Sequence, residues 1–136
     1  MSYKVLEHTA DLKIHVEGKS LADLFTEATL GMMDLMKPED FEEKEGKTER
    51  KISLKSLDET TLLIDFMSEV LFLAHTNKEI YTKIDFEKLS ETKLEAKLHG
   101  VPISEFKEDI KAVTYHEVDV KQNEKGKWET NLVFDI

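Results

Sequence analysis

Leu12, Ile14 and Val16 alternate with Lys13, His15 and Glu17, the period-two pattern of a strand with one face on a core. A strand from Tyr3 to about His8 is predicted before it. Ser20 then caps a helix in which Leu21, Leu24, Phe25, Ala28, Met32, Leu35 and Met36 recur at helical spacing until Pro38 stops it. From Lys37 to Lys51 acidic and basic residues mix with only Phe41 and Gly46 between them, which reads as an exposed connection. Ile52 and Leu54 mark a short strand. Ser56 with Glu59 forms the sequence signature of a capping box, opening a helix whose apolar set is Leu62, Leu63, Phe66, Met67, Val70, Leu71, Leu73 and Ala74 and which ends near Asn77.

The remainder reads as strands: Ile80 to Phe86, the alternating Leu94, Ala96 and Leu98, Ala112 to Val120, and Trp128 to Phe134, with Gly126 offering a turn before the last. Two helices among more numerous strands, with no repeated βαβ unit, predict an α+β fold: a largely antiparallel sheet with two main helices packed on it, in one domain over residues 1–136. The apolar phase slips near His116, where Val113 and Tyr115 share one parity and Val118 and Val120 the other. A bulge produces such a slip; a strand apolar on both faces produces it as well, and the pattern leaves both open. In the last strand Trp128, Thr130, Leu132, Phe134 and Ile136 share a face by alternation, which puts Asp135 on the other.

Composition narrows the function classes. Nineteen basic against twenty-nine acidic residues give a net charge of −10, so a broad basic surface for gripping phosphate backbones is missing, and work on RNA would need a partner to do the gripping. No cysteine is present, which excludes a disulfide partner, thiolate metal sites and cysteine nucleophiles. A metal here must sit on oxygen or imidazole. The start, Met1-Ser2-Tyr3-Lys4, lacks the regions of a signal peptide, and no apolar run approaches the roughly eighteen residues of a membrane span, so the expected location is cytoplasmic, away from membranes. GxGxxG, GxxxxGK[ST], HExxH and GxSxG are all absent, and the five histidines show no short ligand spacing.

Three segments stand out: Glu7-His8-Thr9-Ala10-Asp11 at a corner between two predicted strands, Asp109 to His116 entering the irregular one, and Phe134-Asp135-Ile136 at the end. The EHTAD segment, the IKAVTYH segment and the final Asp-Ile resemble the archease family, and the helix opening with SLDETTLL falls where that family has a similar one. The resemblance runs from Glu7 to Ile136 with the motifs in order, and IKAVTYH is its most specific part. It implies a non-catalytic accessory protein for the RtcB-type RNA ligase of tRNA splicing, which joins a 2′,3′-cyclic phosphate or 3′-phosphate end to a 5′-hydroxyl. It further implies promotion of guanylation of the ligase histidine and of multiple turnover, with tRNA met only indirectly. The family's carboxylate metal site would map onto Asp11, Asp135 and the terminal carboxylate of Ile136, with Asp58 a further acidic candidate. Lys111 matches the family lysine tied to activity, and His8 and His116 flank the motifs as candidates for partner contact.

Physical chemistry is compatible with that map. Carboxylates within a few ångströms stay ionised together only if a cation or proton neutralises them, and an all-oxygen set calls for a hard divalent ion, calcium first and magnesium second. Each residue also has a plainer role. Asp11 can make a turn hydrogen bond, Asp58 can favour a helix dipole, Asp135 can belong to a frayed end, and Lys111 can be a surface lysine. From a different class, the same carboxylates would serve a stand-alone metal-dependent hydrolase or nuclease by positioning a metal-bound water. A chaperone-like module would instead require an exposed apolar patch, which the pattern does not demand.

Overall fold

The computed structural model describes residues 11–43 and 48–136; the strand predicted over 3–8 and the candidate His8 lie outside them. The element order is β1 (Asp11–Gly18), α1 (Leu21–Met36), β2 (Thr48–Lys55), α2 (Glu59–Asn77), β3 (Glu79–Leu89), β4 (Lys93–Pro102), β5 (Ala112–Val113), β6 (Lys121–Gln122) and β7 (Trp128–Asp135). The class is α+β, as expected, and every pairing among these strands is antiparallel. The strands form two sheets where one was expected. One runs β1-β7-β5, with β6 also on β7, and the other runs β2-β4-β3.

Helix α1 begins where Ser20 accepts a hydrogen bond from the Asp23 amide at 3.1 Å and buries Leu24, Phe25, Ala28, Met32 and Met36, the stripe its spacing predicts. It packs on β1 and β3, so it ties the two sheets together, while α2 packs on β2, β3 and β5. Phe25, Phe66 and Phe86 meet with ring centroids 5.7 to 6.3 Å apart. One ring from each of α1, α2 and β3 thus closes the core at their junction, the fully buried Phe25 and Phe66 contributing about 1.5–3 kcal/mol each and the half-buried Phe86 less. No helix among the described residues is long and apolar enough to cross a membrane.

Three local expectations are corrected. The cap of α2 is Asp58, which accepts from the Thr61 amide at 2.8 Å, and not Ser56. The Ser56 amide still bonds the Thr92 carbonyl, and its hydroxyl is given to Asp65 at 2.6 Å. The connection from Lys37 to Lys51 is shorter than the charge mixture implies, because β2 already runs from Thr48. Here Arg50 takes an inward-facing position and is neutralised by buried Glu79, so a charge stands where the pattern expects an apolar residue. The strand predicted over Ala112 to Val120 is neither bulged nor two-faced. It leaves β7 after Thr114, whose amide still bonds the Val133 carbonyl, turns through Glu117 at φ 62°, and rejoins at Lys121. Among the described residues the register shifts lie in β3 instead, at Tyr81/Lys83 and Phe86/Lys88.

Candidate functional site

The first and last described strands lie side by side. Leu132 and Phe134 are fully buried and anchor β7 to the core, so alternation turns Asp135 outward, and it is exposed. The register sets Asp11 directly opposite Asp135 and, on the other side, Ala112 opposite the same residue. Directly opposed residues point to one face with Cβ atoms about 4.5–5.5 Å apart. The N–H of Lys111 donates to the Asp135 carbonyl at 2.7 Å, which brings the start of the IKAVTYH segment to the same end. Three of the sequence candidates, Asp11, Asp135 and Lys111, are thereby brought together, and Ile136 follows directly.

The outward face of β1 and β7 continues with the opposed pairs Lys13/Val133, His15/Asn131 and Glu17/Glu129. Lys13 bonds Glu117 at 2.7 Å, and that hydrogen bond holds the Glu117 carboxyl below its ordinary range. His15 Nδ1 lies 2.8 Å from Asn131 Oδ1, and its Nε2 lies 3.4 Å from Glu17 and 3.7 Å from Glu129. The Asn131 contact first, then the two carboxylates, raise the imidazole pKa. The acidic Glu17/Glu129 pair therefore has an imidazole nitrogen within reach of both carboxylates. Asp11 and Asp135 have no ion-pair partner among the described residues, although opposed like charges are unfavourable.

Among the described residues no three His, Asp or Glu side chains are grouped to hold a metal. Asp11 and Asp135 supply two opposed carboxylates, the kind of oxygen donor that a hard cation accepts alongside carbonyl and water oxygens. Asp58 is not part of this group. Its carboxylate caps α2, and the Thr61 hydrogen bond holds its pKa below the usual value. Thr60 Oγ1 accepts from the Val120 amide, and Thr130 Oγ1 from the neighbouring Asp119 amide. The head of α2 is therefore held at the level of Thr130, five positions and on the order of 16 Å up β7 from Asp135. His116 lies exposed in the turn, its Nε2 3.4 Å from Glu117, the same carboxylate that Lys13 bonds.

Sequence reasoning missed the surroundings of Lys111. Its side chain borders a groove of about 330 Å³ with Ser68, Leu71, Phe72, His75, Ala112 and Val113. Tyr115 closes on α2 through its hydroxyl, 3.2 Å from Asp65; withdrawal from water, then the Asp65 charge, raise its pKa. One signal was available, since Phe72 is a large aromatic that falls outside the apolar stripe of α2.

The model of the Archease protein family (MTH1598/TM1083) matches residues 3–136. The chain belongs to the archease family. The archease of Methanosarcina mazei is 32% identical over 142 residues, covering 98% of this chain and 95% of the relative, and that of Pyrococcus abyssi is 32% identical over 139 residues, covering 96% and 95%. Among solved archease-like structures, the solution structure of Methanobacterium thermoautotrophicum protein 1598 superposes with a TM-score of 0.74 at 25% identity, covering 96% of each chain. A crystal structure from Thermotoga maritima, described as an archease and possible chaperone, gives 0.70 over 100% of this chain and 98% of that one, and at 18% identity it speaks for the fold alone.

Proposed function

We propose that this archease-family chain is a non-catalytic activator of an RtcB-type RNA ligase, promoting guanylation of the ligase histidine and repeated turnover. The observation that carries the reading is the opposition of Asp11 and Asp135 at the sheet end that also receives Lys111. Asp11, Asp135 and the terminal carboxylate of Ile136 hold a divalent cation, calcium first and magnesium second. When bound, that ion neutralises the converging carboxylates and offers a charged, partly hydrated face to phosphate or carboxylate oxygens. Lys111 adds a second positive charge on the same end and pairs with a phosphate or an acidic group of the ligase. His116 and His8 are assigned to the surrounding contact. Because the chain is strongly acidic, tRNA is met through the ligase, in the cytoplasm.

The test is multiple-turnover ligation of a 3′-phosphate RNA by a cognate ligase with GTP, with and without this protein. Stimulation by the wild type, lost in Asp11→Ala and Asp135→Ala, is expected. RNA cleavage by the protein alone with calcium or magnesium, or no stimulation, would overturn the reading in favour of a stand-alone hydrolase or neither.

A further inference from the structure

Among the described residues three large hydrophobics are exposed, Leu57 at 88%, Phe72 at 60% and Tyr115 at 60%, and all three lie along α2. Leu57 precedes its cap, Tyr115 is tied to Asp65 in its second turn, and Phe72 borders the groove beside Lys111. Asp65, Ser68, Phe72 and His75 are spaced i, i+3, i+7 and i+10, one stripe of the helix. It is a different stripe from the one that buries Leu63, Phe66, Met67 and Val70. Phe72 is the exposed large apolar residue of that stripe, and it stands at the rim of a groove and not alone on open surface.

The groove's charge is unlike that of the rest of the molecule. In a chain of net charge −10, its only ionisable lining residues are Lys111 and His75. The Lys111 ammonium has no partner among the described residues. His75 Nε2 is buried and unpartnered, while its ring stacks on Phe106 at 5.3 Å. A largely apolar floor with one free cation complements an apolar side chain flanked by a carboxylate. Aromatic residues at the centre of a patch typically carry most of a protein interface's energy.

We infer that the Phe72–Lys111 groove is a docking surface for a partner protein, seating an apolar residue against Phe72 with an adjacent carboxylate on Lys111. This rests on the ligase-activator reading, which makes the ligase the partner. Since Lys111 adjoins Asp135 through its backbone, a segment seated here is delivered beside the Asp11/Asp135 pair. The surface accounts for attachment, and the carboxylates for the effect on the ligase.

The experiment is a titration of ligase with the full chain, as wild type, Phe72→Asp and Phe72→Leu, reading direct association by calorimetry and ligation rate in parallel. Phe72→Asp is expected to raise the dissociation constant and the half-maximal activating concentration by about tenfold or more. The plateau rate stays unchanged, and Phe72→Leu stays near wild type. Unfolding melts of both variants within a few degrees of the parent exclude a folding defect, since the side chain is already exposed. Association unaffected by Phe72→Asp would overturn the docking surface while leaving the activator reading intact. No association of the wild type with the ligase would overturn both. Self-association of the wild type that Phe72→Asp abolishes, seen by sedimentation of the chain alone, would assign the groove to a second copy instead.

Discussion

Glu79→Gln removes the only carboxylate among the described residues that is almost wholly withdrawn from water, at 2% exposure. Its Oε1 accepts from Arg50 Nε at 3.0 Å and from the Tyr81 hydroxyl at 2.8 Å, and its Oε2 accepts from Arg50 Nη2 at 2.8 Å. Burial pushes the carboxyl pKa up, but the hydrogen bonds from Arg50 and then Tyr81 more than reverse this and leave it below the usual value. In the variant one amide oxygen must serve the donors that two carboxylate oxygens served, and the amide nitrogen meets a guanidinium N–H. Hydrogen bonds to charged groups contribute about 1.5–3 kcal/mol each. Because Arg50, with 36% of its side chain exposed, recovers hydration, the expected net cost is about 2 kcal/mol, or roughly 8 °C in melting temperature for a chain of this length. The pH dependence has a definite sign. A carboxyl with a lowered folded pKa stabilises fully above its unfolded value, near 4.3, and loses that stabilisation as pH falls through the folded value. The gap between parent and variant in urea unfolding should therefore be widest at neutral pH and narrow as pH falls from the unfolded value through the lower folded one. A cost under about 0.5 kcal/mol at pH 7, or a gap that does not narrow in acid, would refute the argument.

A Cβ added at Gly100 would lie 2.8 Å from Thr48 Oγ1 and 2.8 Å from Tyr81 Cδ1, so Gly100→Ala should destabilise by about 1–3 kcal/mol through overpacking; an unchanged melting temperature would show that β4 has room to yield. His15 has a raised pKa, so its stabilisation is complete below the unfolded value near 6.5 and is lost as pH rises through the folded value. Thermal melts across that window should fall in the parent and stay flat in His15→Gln. Asp58→Ala should lower the melting temperature while Asp58→Ser retains it, as expected of a helix cap, and neither should alter calcium affinity measured by calorimetry. Loss of calcium binding in Asp58→Ala would place that residue in the cation group after all.

What the sequence disclosed followed the physics of one-sided burial. Both helices and the alternation of β1 and β7 were legible because an apolar stripe met a solvated face. β2 began early and unseen because its inward position is Arg50, made tolerable by a glutamate some thirty residues away; no local pattern carries such a partner. The cap of α2 was misplaced because Ser56 with Glu59 has the spacing of a capping box, whereas the folded chain gives the Ser56 hydroxyl to Asp65 and the Thr61 amide to Asp58. The strand from Ala112 to Val120 was overdrawn for a related reason. In its second half Val120 is buried beside the head of α2, where its amide bonds Thr60, and not by sheet pairing; apolar residues do not reveal which element covers them.

The acidic pair illustrates how a site can be half legible. Alternation alone places Asp135 outward, because Leu132 and Phe134 must face the core, yet nothing local to Asp11 names its neighbour; the motif resemblance supplied that pairing and the register made it geometric. The same register explains why the pairing is robust. Sliding β1 by one residue against β7 would turn Leu12, Ile14 and Val16 to solvent and draw Lys13 and His15 inward, a loss shared along the whole ladder. The opposition of Asp11 and Asp135 is thus maintained by apolar packing several residues away, against the repulsion of the two carboxylates. Under the proposed function a divalent cation between them would offset that repulsion, which is why loss of either carboxylate is the sharpest test of that reading.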